Sequence, residues 1–240
     1  MAERLLAFDT STDRLSIAVR HGGHVVAHDG PGGAQSSTTL IPRIRALLAE
    51  AGLTLGALDA IVFGRGPGSF TGLRTACAVA QGLGYGADVP LLPVDTLHAL
   101  AEDARHRFGT PRVVALLDAR MGQVYVARVA FDGAMATVAD TEVMAPESVV
   151  VPAGWVLAGN AFAAYGERLP AAAGRHEAWP TAEALLRLAP ALLAAGRAVA
   201  PADAWPLYVR DKVAQTTEER AAAKAAAILA TPAPSAKVVP

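Results

Sequence analysis

Two places in this chain set a carboxylate beside hydroxyls, the donor set that a hydrated magnesium ion and a phosphate chain would need. The apolar run Leu5 to Thr10 (LLAFDT) ends on Asp9, followed by Thr10, Ser11 and Thr12. A second apolar run, from Val113, ends on Asp118, with fewer hydroxyls after it. Asp9 suits a turn cap equally well, so both roles stay open here. A third stretch, FGRGPGSFTGLR from Phe63 to Arg74, has the glycines of a phosphate loop but no lysine. A phosphate-cradling P-loop needs that lysine against the terminal phosphates. This loop is therefore expected to deliver a helix instead, with Ser69 or Thr71 as its N-cap.

Other chemistries find less support. His24 and His28 share one face of a strand and are imaginable metal ligands, but histidines flanking an exposed turn explain the pattern more simply. The chain has neither a His-Glu-x-x-His motif nor a Gly-x-Ser-x-Gly elbow. Ser69 has no assignable histidine base. Cys77 is the single cysteine, expected as an inert core thiol, and one thiol cannot form an internal disulfide. A reducing cytoplasm fits that usage, and the N-terminus lacks a signal-peptide layout. A formal charge of -1 provides no basic field for nucleic acid, which disfavours an independent RNA-binding module.

The elements that must hold these residues repeat. Val124 follows Asp118 by six positions, as Leu15 follows Asp9, and each spacing opens a second strand. Glycine turns, Gly22-Gly23 and Asp132-Gly133, then lead to a third strand. After the first meander come a helix at Ser37 to Ala51, a strand at Ala60 to Gly64, a helix at Thr71 to Ala87, a strand at Leu91 to Val94 and a helix at Asp95 to Phe108. After the second come a strand at Trp155 to Asn160 and helices at Ala161 to Arg168 and Thr181 to Ala195. Strands alternating with helices predict an α/β fold with helices covering mixed sheets. The expected division is 1–108, 109–214, and 215–240 as a short helix and disordered tail.

The helix after the glycine loop stands out. Gly72, Ala76, Ala80 and Gly84 recur every four residues, a stripe almost without side chains, beside a row of Thr75, Val79 and Leu83. Each helical glycine costs ~1 kcal/mol relative to alanine, so close packing of another helix is the expected compensation. The helix is either central to the core or half of a subunit interface. Arg74, at the positive end of the helix dipole, is expected to find an internal salt bridge.

A duplicated β-β-β-α-β-α lobe resembles the actin/sugar-kinase/Hsp70 (ASKHA) superfamily, whose members bind ATP between lobes. The candidate adenine turn, Leu157-Ala158-Gly159-Asn160, has one glycine where relatives use two, which implies weak or interface-shared ATP or ADP with magnesium. More specifically, GPGSFTGLR, AFDTSTDRLSIAV, VPLLPVDTLHALA and the late PLYVRDKVA together resemble the TsaB (YeaZ) family over roughly Leu5 to Ala214. That resemblance implies a non-catalytic cytoplasmic subunit of the machinery making threonylcarbamoyladenosine in tRNA. It also implies docking through N-lobe helices onto the catalytic paralogue TsaD, with the ATPase TsaE joining, tRNA met only through the complex, and a homodimer when isolated. The implied interface is Gly72, Thr75, Ala76, Val79, Ala80, Leu83 and Gly84. The paralogue's His-x-x-x-His metal pair falls here on Thr96 and Leu100, which cannot hold a metal. The competing expectation is an ATP-dependent transferase using Asp9 and Asp118, or a glycoprotease-like hydrolase. Trp205, Leu207 and Tyr208 are expected to pack on the second lobe, and Arg210 and Lys212 to meet solvent by default, with RNA or a partner as the alternative.

Overall fold

The computed structural model describes residues 3–133 and 135–210. The first meander forms β1 (Arg4–Asp9), β2 (Arg14–His21) and β3 (His24–Pro31). Next come α1 (Ser36–Glu50), β4 (Ala60–Gly66), α2 (Phe70–Ala87), β5 (Leu91–Asp95) and α3 (Thr96–Phe108). The second series is β6 (Arg112–Arg120), β7 (Gln123–Asp132), β8 (Met135–Val138), β9 (Glu142–Met144), β10 (Val156–Gly159), α4 (Phe162–Tyr165), β11 (Arg175–Glu177) and α5 (Ala182–Ala194).

Both sheets share one plan. The first runs β3-β2-β1-β4-β5, and the second runs β11-β10-β6-β7-β8 with β9 paired to β7. In each, the first three strands pair antiparallel, and the first strand also pairs parallel with the strand beyond it. This is the duplicated mixed-sheet topology of the ASKHA-like fold. The short strands β9 and β11 carry too few residues to show a period of two, so the sequence reading missed them.

Alternation along β1 explains the layering. Leu6 and Phe8 join the cluster under α1 and α2, whereas Leu5 and Ala7 join the one under α5. On the second sheet, Val113, Ala115 and Leu117 meet Leu97, Leu100 and Ala104 of α3. Val114 and Leu116 face the opposite way, against Val149, Ala161 and Leu169. Between α3 and α5 lies Glu102, 1% exposed, accepting from Arg105 Nε (2.6 Å) and Arg187 Nε (2.9 Å). Paired and hydrogen-bonded on both oxygens, this carboxylate tolerates burial.

The sheets part near residue 108, yet α5 packs on the first sheet, and Val199 bridges to Leu91. The segment after α5 meets the first half through Leu207 and Tyr208, and Val209 packs against the second sheet's cluster. Leu207 N donates to Arg65 O at the end of β4, and Tyr208 meets Phe70 of α2, with ring centroids 5.7 Å apart. The expected helix at Glu218 to Ala230, Lys212 and the tail lie outside the described residues.

Candidate functional site

Local sequence closes the turn after β1. Asp9 Oδ1 accepts from Ser11 N (2.8 Å) and Ser11 Oγ (2.6 Å). Thr10 Oγ1 donates to Gly72 O (2.7 Å), and Ser69 N donates to Ser11 O (2.7 Å). The glycine loop thus folds down onto the turn. A Cβ at Gly72 would sit 1.9 Å from Thr10 O, and one at Gly68 would sit 2.4 Å from Ser11 O. The glycines are there so that two backbones can touch. The loop therefore packs against Asp9-Thr10-Ser11 and seats α2.

The hydroxyls expected to face a phosphate are engaged by their own chain. Thr10 and Ser11 are 0% and 2% exposed. Asp9 is 1% exposed, and its Oδ2 stands over Gly64, where a Cβ would come within 1.8 Å. Burial pushes the Asp9 carboxyl up to about 6, and the two Ser11 donors oppose that rise. The Thr96 hydroxyl opposes it more weakly. It stands near the carboxylate, although Oδ2 receives no hydrogen bond of ordinary length; that hydroxyl instead accepts from Gly66 N (3.2 Å).

Asp118, the matching strand end of the second sheet, has a different environment. Its Oδ1 accepts from Arg120 N (2.7 Å) and the Tyr165 hydroxyl (3.0 Å), and its Oδ2 lies 3.1 Å from Arg120 Nη1. Asp118 N donates to Asn160 Oδ1 (2.9 Å). Gly159, the single glycine of the adenine-turn candidate, lies where a Cβ would be 1.8 Å from Leu116 O. Close contact between strands accounts for it. None of the hydrogen bonds or ion pairs of Asp9, Thr10 or Ser11 joins them to Asp118.

The small-residue stripe points inward. Gly72, Ala76, Ala80 and Gly84 are all buried within the chain's own fold, Ala76 and Ala80 beneath the first sheet and Gly84 against Leu91 and Pro201. Val79 and Leu83 pack at the edge of the same cluster, and Thr75 is half-buried. The periodicity was legible, but which face of α2 meets the sheet depends on where the Thr10 turn lies, a long-range contact. A second row, offset from the first, faces outward: Thr71, Ala78, Gly82, Tyr85 and Gly86 are exposed. Cβ atoms added at Gly82 and Gly86 would meet nothing within 4 Å.

Neither expected cap forms at the start of α2. Ser69 occupies the N-cap position without a side-chain hydrogen bond, and Thr71 lies inside the helix. Arg74 has no ion pair among the described residues. Its guanidinium sits 3.8 Å over the Phe70 ring, and Nε donates to the Tyr208 hydroxyl (3.1 Å). The helix dipole suggested an ionic partner, whereas Phe70 and the distant Tyr208 supply aromatic ones. Cys77 is buried, its Sγ 3.3 Å from Ala204 O, and burial raises its pKa. His98 is 8% exposed and held below its ordinary pKa by burial. No group of three metal-ligating side chains occurs among the described residues.

Similarity to known proteins gives these features a context. The family model described as TsaD, tRNA N6-adenosine threonylcarbamoyltransferase, matches residues 28–234. The tRNA threonylcarbamoyladenosine biosynthesis protein TsaB of Escherichia coli is 35% identical over 88% of this chain and 96% of its own length. The chain belongs to the TsaB (YeaZ) family. The TsaB protein of Haemophilus influenzae is 42% identical over 52% of this chain and 53% of its own. YeaZ from Pseudomonas aeruginosa is 40% identical, with a TM-score of 0.81 over 86% of this chain and 99% of its own. Among the described residues no helix is long and apolar enough to cross a membrane.

Proposed function

We propose that this TsaB-family chain is a non-catalytic subunit of the assembly that adds a threonylcarbamoyl group to the adenosine next to the tRNA anticodon. It docks the catalytic TsaD-like paralogue through the outward faces of α1 and α2. One observation carries the reading: α2 exposes Ala78, Gly82 and Gly86 on one face, with open space beside both glycines. Glycine in an exposed helix interior sacrifices ~1 kcal/mol against alanine, and nothing inside the fold requires it at these two positions. A helix of another chain approaching that backbone offsets the cost through dispersion contacts. Ile41 is 44% exposed on α1, the helix that packs on the same cluster as α2.

The sealed turn supports the absence of chemistry in this chain. A transferase built on Asp9 would need its carboxylate and hydroxyls open to a metal-bound phosphate, and the glycine loop covers them. Nucleotide, where it contributes, is shared across the partner interface. A TsaE-like ATPase joins the same assembly in the cytoplasm, tRNA is met through the complex, and the isolated chain pairs with itself through the same face.

The deciding experiment is co-purification of the full chain with its paralogue, comparing wild type with Ala78→Leu/Gly82→Leu. Ala78 is exposed and a Cβ at Gly82 meets nothing within 4 Å, so the double variant should melt like wild type and fail to bring down the paralogue. Normal complex formation would remove α2 from the interface. Calorimetry with Mg-ATP on the isolated chain should show no turnover, and turnover there would restore the enzyme reading.

A further inference from the structure

The segment after α5 lies along α2. Pro201 packs at Gly84, the Ala204 carbonyl accepts from Gln81 Nε2 (3.0 Å) and Cys77 Sγ (3.3 Å), and Tyr208 meets Phe70 and Arg74. This strap therefore runs antiparallel to α2, on the helix row next to the exposed one. Its own exposed side chains are large: Trp205 is 68% and Tyr208 50% exposed, and α2 itself exposes Phe70 at 43% and Tyr85 at 64%. Phe70 and Tyr208 are in ring contact at the start of α2, and Trp205 follows Ala204, which meets Cys77 and Gln81 further along the helix. An apolar concentration of this kind marks an interaction surface.

Arg74 gives the patch a polarity. The Phe70 ring and the Tyr208 hydroxyl fix the guanidinium in one orientation, and no carboxylate among the described residues pairs with it. It lies one turn into α2, whose first turn has no acidic residue. A cation held rigid inside an aromatic patch suits a carboxylate from another protein, since a guanidinium and a carboxylate can bond in bidentate fashion.

We infer that the strap completes the docking face: Trp205 and Tyr208 anchor the TsaD-like paralogue, and Arg74, clamped by Phe70 and Tyr208, receives an acidic side chain of that paralogue. The inference rests on the docking reading above and assigns recognition residues that the helix faces alone do not provide. Charge complementarity selects the occupant, because a purely apolar cover would leave the Arg74 cation buried without a counter-charge. Aromatic and arginine side chains at the centre of a patch are also those that most often dominate binding.

The test is titration of the purified full chain against the paralogue at low and high salt. Trp205→Ser should weaken binding at least tenfold and Arg74→Glu at least thirtyfold. Arg74→Gln should flatten the salt dependence seen in wild type. Binding within twofold of wild type by both Trp205→Ser and Arg74→Gln would overturn the inference. The two proposals fail separately: if Ala78→Leu/Gly82→Leu abolishes binding while the strap variants bind normally, only the strap assignment falls. A loss of tRNA affinity in Arg74→Glu with unchanged paralogue affinity would also overturn it. Trp205 is largely exposed, so Trp205→Ser keeps the test decisive even if an Arg74 variant melts early.

Discussion

The two halves of this molecule share a sheet plan but differ in the helices attached to it. Between β4 and β5 the first sheet carries α2, 18 residues long, whereas between β10 and β11 the second carries α4, 4 residues long. Between the third and fourth strands the first has α1, 15 residues, and the second has only β9 and a single 3-10 turn at Pro146–Ser148. The equivalent strand ends diverge as well. Asp9 is sealed beneath a glycine loop, and Asp118 is pinned at the surface by Arg120 and Tyr165. The lesson is that duplication has left one half with a helical face large enough to meet a partner. Neither strand-end carboxylate is left open to a metal-bound phosphate. The candidate docking surface lies on the helices of the first half together with the segment after α5 that returns along α2.

The sharpest way to break that comparison is at the inward glycine. Gly72→Val places carbon into the Thr10 carbonyl, so several kcal/mol of stability should be lost, beyond the usual ~1–3 kcal/mol for overpacking. Chemical denaturation measures it; a near-wild-type midpoint would mean that the loop is not held on the turn.

Next is the contrast between the aspartates. The rise of the Asp9 carboxyl from 3.8 to about 6 amounts to ~3 kcal/mol at most. Because the folded state holds the proton more tightly, this group's penalty is absent below pH ~4, grows as pH rises to about 6 and is complete above it. Asp9→Asn should therefore raise stability at pH 7.5 by up to ~3 kcal/mol and leave it nearly unchanged at pH 4. Denaturant midpoints across that range decide the matter, and a variant destabilised equally at both values would contradict it. Asp118→Asn should cost only ~1 kcal/mol, because its partner Arg120 is 78% exposed.

The smallest effect sharpens the contrast between the two rows of α2. Gly82→Ala meets open space and should stabilise the isolated chain by ~1 kcal/mol, seen as a higher melting temperature. A loss of stability instead would show that Gly82 already packs against its own chain.

Much of the fold was legible in residue order. Apolar runs ending on Asp9 and Asp118 and glycines at the turns specify strands, helices and their duplication, because those depend on neighbours within a few positions. The GPGSFTGLR loop and the period-four small residues of α2 were equally legible. Residue order could not decide direction: which row of α2 turns inward, what covers Asp9, and where the segment after α5 lies. Those depend on contacts between residues far apart in sequence, Thr10 with Gly72 and Arg74 with Tyr208. A periodic pattern names the rows of a helix, but only packing against a distant backbone selects the one that stays in water.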